Sequence, residues 1–312
     1  MPAILAIHGG AGTIRRDLMT PAAEAGYHAG LRAALMAGHA VLKDGGSALD
    51  AVTQAVMALE DDPLFNAGHG AVYTAHGRQE LDAAIMDGRD RAAGAVAGIL
   101  GPRNPVLAAR AVLQSEHVLL QGRGAEDFCR EQGVAWAPAA HFHTERRWSA
   151  LQEELERRRL AAADTRDDAQ RHGTVGAVAC DMHENIAAAT STGGMTAKLP
   201  GRVGDTPVFG AGTWADNRSC AVSCTGLGEN FMRIAAAHEI ASRMRHAHQT
   251  LAAAAEATLA ELPEIGGSGG LVAVDARGNV VLPHNSAGMY RGVIGADGIA
   301  RTAIWREALH AA

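Results

Sequence analysis

The chain has 312 residues, of which 47% are hydrophobic, and a formal net charge of -6. This length and composition predict a globular protein with a full hydrophobic core. An acidic chain with 4% aromatic residues offers neither the positive field nor the stacking surfaces that nucleic acids need, so we expect no nucleic-acid partner. Because no apolar run reaches the length of a bilayer, we expect no membrane partner either.

The compartment is predicted from the first residues and the cysteines. Residues 1–8 resemble a short strand and lack the basic start and long apolar run of a signal peptide. The four cysteines form no Cys-x-x-Cys pair, which favours buried thiols over disulfides or a zinc site. We therefore expect a cytoplasmic protein.

The beginning of the chain predicts one strand followed by two helices. Residues 3–7 read as a buried strand that ends in a glycine loop at 8–12. Thr20 and Pro21 are typical of an N-cap and a first helical turn, and they predict a helix to about Lys43. Residues 47–50 have the spacing of a capping box and predict a second helix.

The stretch that follows alternates loops with short elements. The acidic residues of the loop at 60–73 lack the spacing of an EF-hand, so this stretch is predicted to be structural. Four elements are then predicted, with strands at 81–87 and 93–100 and helices at 104–116 and 125–132. The pair His141 and His143 lies in a predicted loop at 138–143, where we expect it to face solvent rather than bind a metal.

The sequence changes character at Gly173 and Thr174. Residues 145–171 are crowded with charged and amide side chains, which is typical of a solvated or mobile linker, whereas residues 175–180 predict a buried strand. By local pattern alone, Gly173 is a turn residue and Thr174 opens that strand. The hydroxyl of Thr174 could also cut the bond before it, which would leave a nucleophile and an amine base on one residue.

The second half continues with a strand at 185–190, paired with the first in a hairpin. The glycine-rich stretch at 191–205 is not a Walker loop, because it does not contain the spacing Gly-x-x-x-x-Gly-Lys-Thr. Within it, Arg202 could bind a carboxylate and Asp205 an ammonium group, as the head of an amino acid requires. A solvent-exposed salt bridge between these two residues is the other interpretation.

A further strand at 219–225 ends at Gly226 and Gly228, where a helix towards His248 begins. The third glycine of a dinucleotide loop is missing, but backbone N–H groups at such a helix start suit an oxyanion or carboxylate. The remaining predicted elements are a hairpin at 269–282, a segment at 285–291 and a last strand near Ile304.

Several of these stretches resemble one family. The motifs are His-Gly-Thr-Val-Gly-Ala-Val at 172–178, Thr-Ser-Thr-Gly-Gly-Met at 190–195, Lys-Leu-Pro-Gly-Arg-Val-Gly-Asp at 198–205 and Ser-Cys-Thr-Gly at 223–226, with upstream matches at 8–12, 63–68 and 81–88. Together they resemble the plant-type L-asparaginases, or isoaspartyl peptidases, of the N-terminal nucleophile hydrolases. The resemblance covers nearly the whole chain.

The resemblance implies an α+β fold, a four-layer αββα sandwich, in which the bond between Gly173 and Thr174 is cleaved autocatalytically. Residues 1–173, with a mobile linker at about 145–173, would form an α subunit, and residues 174–312 a β subunit that starts at the nucleophile. The processed αβ units are expected to form a homodimer.

The resemblance also implies roles for individual residues. Thr174 would be the nucleophile, Thr192 the hydroxyl that orients it, and Thr225 and Gly226 the oxyanion positions. The substrate would be bound by Asn66, Arg202, Val203, Gly204, Asp205, Thr225, Gly226, Leu227 and Gly228. A structural sodium ion would be held by the main-chain carbonyls of Leu59, Glu60, Asp62, Phe65, Ala67 and His69, and no cofactor is expected for the chemistry.

The implied activity is hydrolysis of β-aspartyl dipeptides and L-asparagine to L-aspartate. Two other interpretations stay open: an unprocessed or inactive relative that binds an amino acid or acts as a scaffold, and a glycosylasparaginase-like amidase. Ala197 stands where the family commonly has Asn, and Leu227 replaces a small polar residue near the site. We expect Leu227 to narrow or dry the leaving-group side, so the preference between asparagine and β-aspartyl dipeptides stays open.

Overall fold

The computed structural model describes residues 3–160 and 173–311. In the first range lie strands β1 (Ile4–Gly12), β2 (Leu81–Asp87), β3 (Ala93–Ile99) and β4 (Leu119–Gln121), and helices α1 (Pro21–Lys43), α2 (Ala48–Asp61), α3 (Pro105–Leu113), α4 (Gly122–Glu131), α5 (Ala139–Phe142) and α6 (Glu145–Leu160). In the second lie β5 (Val175–Cys180), β6 (Ile186–Thr192), β7 (Thr213–Ala215), β8 (Cys220–Gly226), β9 (Gly269–Asp275), β10 (Val280–Val281), β11 (Gly288–Ile294), β12 (Arg301–Ala303) and β13 (His310–Ala311), with helices α7 (Gly228–Arg233), α8 (Ala236–His246) and α9 (Leu251–Glu261).

The described strands form two sheets. The larger has the order β13-β12-β11-β1-β5-β6-β2-β3-β4, and the smaller has the order β10-β9-β8-β7. The pairing of β3 with β4 is parallel, whereas the central pairs β1–β5, β5–β6 and β2–β6 are antiparallel. Strand β5, which follows Thr174, therefore lies in the middle of the larger sheet.

The two faces of the larger sheet pack against different partners. In β5, Val175 and Ala177 belong to a core shared with α1, α2 and α3, whereas Val178 belongs to a core shared with the smaller sheet. Because successive side chains of a strand point to opposite faces, the run predicted as a buried strand fills both cores at once. In the smaller sheet, Val222 and Leu271 face α8 and α9 on the side away from the larger sheet.

The predicted starts of the first two helices are confirmed. Thr20 caps α1 by accepting a hydrogen bond from the backbone N–H of Ala23 at 3.2 Å. Ser47 caps α2 by accepting from Asp50 N at 3.1 Å, and its hydroxyl donates to the Asp50 carboxylate at 2.7 Å. Such caps satisfy N–H groups that the first turn of a helix leaves without partners.

Four predictions of secondary structure were wrong. Strand β1 runs through the predicted glycine loop to Gly12, with a register shift between His8 and Gly10. The predicted loop at 138–143 contains α5, and α6 occupies the first part of the predicted linker. The remaining residues of that linker, 161–172, lie outside the described residues. The helix predicted to reach His248 is broken between α7 and α8 at Ala235, whose φ of 47° is left-handed.

None of the helices within the described ranges combines the length and the apolar character that a membrane crossing requires. The four cysteines are free thiols, and all four are buried. Burial raises the pKa of the Cys220 and Cys224 thiols, so these two groups are held in their unreactive protonated form.

Candidate active site

Pairing of β5 with β6 brings Thr174 next to Thr192. Val175 lies opposite Ser191 in the register, so the residue before β5 lies beside the end of β6. The Thr174 hydroxyl donates a hydrogen bond to Thr192 Oγ1 at 3.2 Å, and both side chains are buried. The two threonines that were predicted to act together are thus in direct contact.

The carbonyl of Gly173 receives two hydrogen bonds. Thr192 Oγ1 donates at 2.9 Å and Asn66 Nδ2 donates at 2.6 Å. Since a hydroxyl has one proton, Thr192 gives its proton to this carbonyl and accepts the proton of Thr174. Two donors on a carbonyl oxygen stabilise the negative charge that develops there when a nucleophile attacks the carbonyl carbon. The carbonyl of Gly173 is therefore polarised, and the Thr174 hydroxyl lies beside the residue that donates to it.

Asn66 is held rigidly at this junction. Its Oδ1 accepts from Val72 N at 2.9 Å, and its Nδ2 also donates to Gly194 O at 2.7 Å. The sequence predicted Asn66 as a substrate-binding residue, and in the uncleaved chain it binds the junction itself. Gly10 lies on the other side, with φ of 114°, and a Cβ added there would lie 3.1 Å from the Cα of Gly173. A side chain at position 10 would therefore crowd the bond between Gly173 and Thr174.

A buried imidazole fixes the backbone of Thr174, and the sequence analysis missed it. His8 Nδ1 lies 2.8 Å from the Thr174 carbonyl oxygen, and its Nε2 lies 2.8 Å from Ser223 Oγ. Burial lowers the pKa of His8 to about 3, so the ring is neutral. A carbonyl can only accept, so Nδ1 carries the proton and Nε2 accepts from Ser223.

The chain of hydrogen bonds continues inwards from Ser223. Thr190 Oγ1 lies 2.7 Å from Ser223 Oγ, and Thr213 Oγ1 lies 2.7 Å from Thr190 Oγ1. All three side chains are buried. Buried polar groups that are fully paired specify one conformation, so this chain fixes the position of the strand that carries Thr174.

The guanidinium of Arg202 is bound by a residue that the sequence analysis did not single out. Its Nε and Nη2 donate to the two carboxylate oxygens of Glu229 at 2.9 and 2.8 Å. The salt bridge with Asp205, which was the other interpretation of this stretch, is absent from the ion pairs of the described residues. Nη1 of Arg202 approaches Gly204, where an added Cβ would lie 3.0 Å away.

Asp205 is a buried carboxyl that is only partly hydrogen-bonded by the described residues. Its Oδ2 has no hydrogen-bond partner there, and a Cβ on Gly228 would lie 2.7 Å from Oδ1. Burial raises the pKa of Asp205 to about 7, against the opposing effect of Arg202. A buried carboxyl with an unpaired oxygen and a raised pKa is a candidate functional-site residue.

Thr225 and Gly226 end β8 beside the glycine segment of β1. Thr225 Oγ1 accepts from Ala11 N at 3.1 Å, and within the described ranges its own proton has no acceptor. Gly226 has φ of 152° and packs so closely on Ser268 that a Cβ would lie 2.5 Å from its carbonyl oxygen. The Thr225 hydroxyl is therefore available to donate to a bound group.

Comparison with known proteins identifies the family of this chain. A family model described as asparaginase matches residues 1–304. The chain belongs to the asparaginase family. It is 51% identical over 310 residues to an isoaspartyl peptidase of Salmonella typhimurium, covering 98% of this chain and 99% of that protein. It is 50% identical to an isoaspartyl peptidase of Escherichia coli, covering 98% and 97%, and 40% identical to the isoaspartyl peptidase/L-asparaginase of Homo sapiens, covering 93% and 92%.

Two residues that depart from the family pattern have clear positions in this asparaginase-family chain. Ala197 is buried and has a left-handed φ of 55°, a conformation that Asn adopts more readily than Ala. Leu227 is half-buried and begins α7 next to Gly228. Val203, also half-buried, lies between Arg202 and Gly204 in the same region.

The predicted metal loop of this asparaginase-family chain leaves carbonyl oxygens without partners. Pro63 lies one helical turn after Leu59 and has no N–H, so it cannot donate a hydrogen bond to the Leu59 carbonyl. If the helix continued, the Glu60 carbonyl would accept a hydrogen bond from Leu64 N. Leu64 N donates instead to Asp62 Oδ1 at 2.9 Å. The carbonyls of Phe65 and His69 accept no hydrogen bond from another described residue.

The other two predicted ligands already accept one hydrogen bond each. Asp62 O accepts from Phe65 N at 3.2 Å, and Ala67 O accepts from Gly70 N at 3.1 Å. A carbonyl oxygen has two lone pairs, so each can still contact a cation. The loop therefore fits a hard monovalent cation bound by carbonyl oxygens.

Side-chain metal ligands are not gathered anywhere in the described ranges, where no three His, Cys, Asp or Glu groups could hold an ion together. His143 contacts the Tyr73 hydroxyl at 2.8 Å and Glu145 at 3.1 Å. His141 was expected to face solvent, but it is half-buried and stacks on His69 with ring centroids 5.0 Å apart.

Proposed function

We propose that this chain is an autoprocessing amidohydrolase that cleaves β-aspartyl dipeptides and L-asparagine and releases L-aspartate. The observation that carries the proposal is the Thr174 hydroxyl, placed beside Thr192 and a Gly173 carbonyl that two donors already polarise. The family membership supports it, as do the names of relatives that cover almost the whole chain.

The first reaction would be self-cleavage. The Oγ1 atom of Thr174 attacks the carbonyl carbon of Gly173, and Asn66 and Thr192 hold the oxyanion. The Oγ1 proton passes to the peptide nitrogen as the C–N bond breaks, so Gly173 is transferred from nitrogen to oxygen as an ester and the α-amine of Thr174 is freed. Water then hydrolyses the ester, which frees the Thr174 hydroxyl and leaves Gly173 with a carboxylate. Residues 1–173 and 174–312 would remain associated as two subunits.

The second reaction would use the new N-terminus. An α-amine has a reference pKa of about 7.7 to 8.0, so near neutral pH a substantial fraction can accept the Oγ1 proton. The hydroxyl oxygen attacks the side-chain carbonyl of the substrate, and Thr225 with the backbone of Gly226 stabilises the oxyanion. The leaving amine takes up the proton. Water then attacks the aspartyl ester and releases L-aspartate.

The substrate's head group would be bound by Arg202 and Asp205. The guanidinium takes the α-carboxylate, and the unpaired Asp205 carboxylate takes the α-ammonium. Leu227 and Gly228 would line the same region, and the missing side chain of Gly228 leaves room against Asp205.

We also propose the four-layer αββα arrangement and a homodimer of processed αβ units. The packing of α1 and α2 on the larger sheet, of the two sheets on each other, and of α8 and α9 on the smaller sheet supports the layers. The α+β class is that of the structure, with a mixed larger sheet. A cytoplasmic location stays a prediction.

Assays on separated cleaved and uncleaved protein test the proposed activity. We expect the cleaved protein to release L-aspartate from β-Asp-Leu and from L-asparagine, and the uncleaved protein to release none. If cleaved protein binds L-aspartate but hydrolyses neither substrate, the chain is an amino-acid-binding relative instead. If it prefers a sugar-bearing asparagine, it is a glycosylasparaginase-like amidase.

The raised pKa of Asp205 predicts how ligand binding depends on pH. A carboxyl with a pKa of about 7 is mostly neutral at pH 6 and mostly ionised at pH 8, and only the ionised form pairs with an ammonium group. We therefore expect inhibition by L-aspartate to be about tenfold weaker at pH 6 than at pH 8. Succinate, which lacks the amine, is the control. An equal loss for succinate would show that another group is responsible.

We propose that the carbonyls of Leu59, Glu60, Asp62, Phe65, Ala67 and His69 hold a structural sodium ion. The ion would tie the end of α2 to the segment that carries Asn66, and it would take no part in the chemistry. Because a ligand of the native state stabilises that state, we expect a lower melting temperature in choline chloride than in sodium chloride at equal ionic strength. Equal melting temperatures would contradict sodium binding.

A further inference from the structure

A cavity of about 440 Å³ opens directly beside the junction. Gly10, Asn66 and Gly173 line one part of it, and Arg146 and Arg147 also line it. Neither Arg202 nor Asp205 belongs to this lining. The cavity is therefore a second space next to the reacting bond, separate from the region that would hold the head group.

The two arginines have no acidic partner among residues 3–160 and 173–311. Arg146 donates to the Tyr27 hydroxyl at 2.8 Å and to Leu64 O at 2.7 Å, and Arg147 Nε donates to Gly70 O at 2.7 Å. These acceptors are neutral. Arg15 also lines the cavity, but it is paired with Asp17.

Burial lowers the pKa of Arg147 to about 9, and the neighbouring charge of Arg146 acts in the same direction. Arg147 is still charged at neutral pH. Two neighbouring guanidinium groups without an acidic partner among the described residues attract an anion, and the attraction is stronger at Arg147 because this side chain is half-buried. Guanidinium groups suit carboxylates because they can donate two parallel hydrogen bonds.

We propose that Arg146 and Arg147 form a subsite for the α-carboxylate of the leaving amino acid in a β-aspartyl dipeptide. The inference rests on the proposed function. Gly10 and Gly173 lie between the cavity and the N atom of Thr174. A Cβ added to Gly10 would lie 3.4 Å from that N atom, so the cavity is close to it. A leaving group that departs from Thr174 into this space carries a free carboxylate when it is an amino acid. Asparagine releases ammonia and gains nothing from the subsite, so the arginine pair favours dipeptides over asparagine.

Substrate pairs test the subsite without changing the protein. β-Asp-Leu and its C-terminal carboxamide differ only in the charge of the leaving group. We expect the KM of the carboxamide to be about tenfold higher, with kcat changed little, because one charge-assisted contact is lost. Equal KM values in the wild-type protein would overturn the subsite while leaving the proposed function intact. If neither dipeptide is hydrolysed, the proposed function itself fails.

A variant assigns the effect to the arginines. In Arg146→Gln we expect the KM of β-Asp-Leu to rise about tenfold towards that of the carboxamide, while the carboxamide and L-asparagine keep their wild-type values. Arg89→Gln, which removes an arginine paired with Asp87 elsewhere, should change none of them. An equal loss on all three substrates in Arg146→Gln would show a structural role and overturn the assignment. If the variant does not fold, the wild-type comparison still decides.

Discussion

Thr174→Ala is expected to give a single uncleaved chain without hydrolase activity. The substitution removes the oxygen that attacks Gly173, and the free α-amine is never formed because the bond stays intact. Loss of a catalytic nucleophile typically lowers the rate by four or more orders of magnitude, so we expect a fall on the order of 10⁴-fold or more. Denaturing electrophoresis and release of L-aspartate measure the two losses.

Thr174→Ser is the matched control for this substitution. It keeps the hydroxyl but loses the methyl group that restricts rotation about χ1, so we expect slower cleavage at the same bond and reduced hydrolysis. Thr192→Val removes the donor to Gly173 and should also slow cleavage. A Thr174→Ala protein that still divides before residue 174 would contradict the mechanism.

Arg202→Ala is expected to lower hydrolysis by orders of magnitude while leaving self-cleavage almost unchanged. The variant loses the group that would bind the α-carboxylate. It also loses the positive charge that lowers the pKa of Asp205, while Glu229 still raises that pKa, so Asp205 stays neutral to higher pH. Leaving a buried charge without its partner costs about 3 to 5 kcal/mol. This corresponds to a loss of roughly two to four orders of magnitude in kcat/KM for asparagine and β-Asp-Leu.

The same contacts predict selectivity for the linkage. In an α-linked dipeptide the α-carboxylate is consumed by the peptide bond, so the wild-type protein should discriminate against α-Asp-Leu by a similar factor. Self-cleavage depends on Asn66 and Thr192, and it uses no free carboxylate. Equal turnover of α-Asp-Leu and β-Asp-Leu, or full activity of Arg202→Ala, would show that the head-group assignment is wrong.

Local sequence patterns were sufficient for most of the elements that build the site. The cap residues Thr20 and Ser47 and the alternating apolar residues of β5 act over a few positions, so their effect can be read from the chain. Thr174 itself was different. Local pattern favoured an ordinary strand start, and only the resemblance of several motifs to one family indicated a nucleophile.

Contacts between distant parts of the chain could not be predicted in this way. His8 lies 166 residues from Thr174 and 215 from Ser223, and no local pattern links them. Glu229 binds Arg202 because the turn after β8 brings α7 to it, whereas sequence spacing had suggested Asp205 as the partner. The break at Ala235 follows from a left-handed residue in an otherwise helical pattern.

The central claim is that Thr174, once freed as an N-terminal residue, forms the covalent intermediate with the substrate. Rapid acid quenching of the cleaved protein during turnover of β-Asp-Leu, followed by mass analysis of its fragments, tests this claim directly. We predict an aspartyl group esterified to the residue that begins the fragment 174–312. Turnover with the added group on any other residue, or by a chain still intact between Gly173 and Thr174, would contradict it.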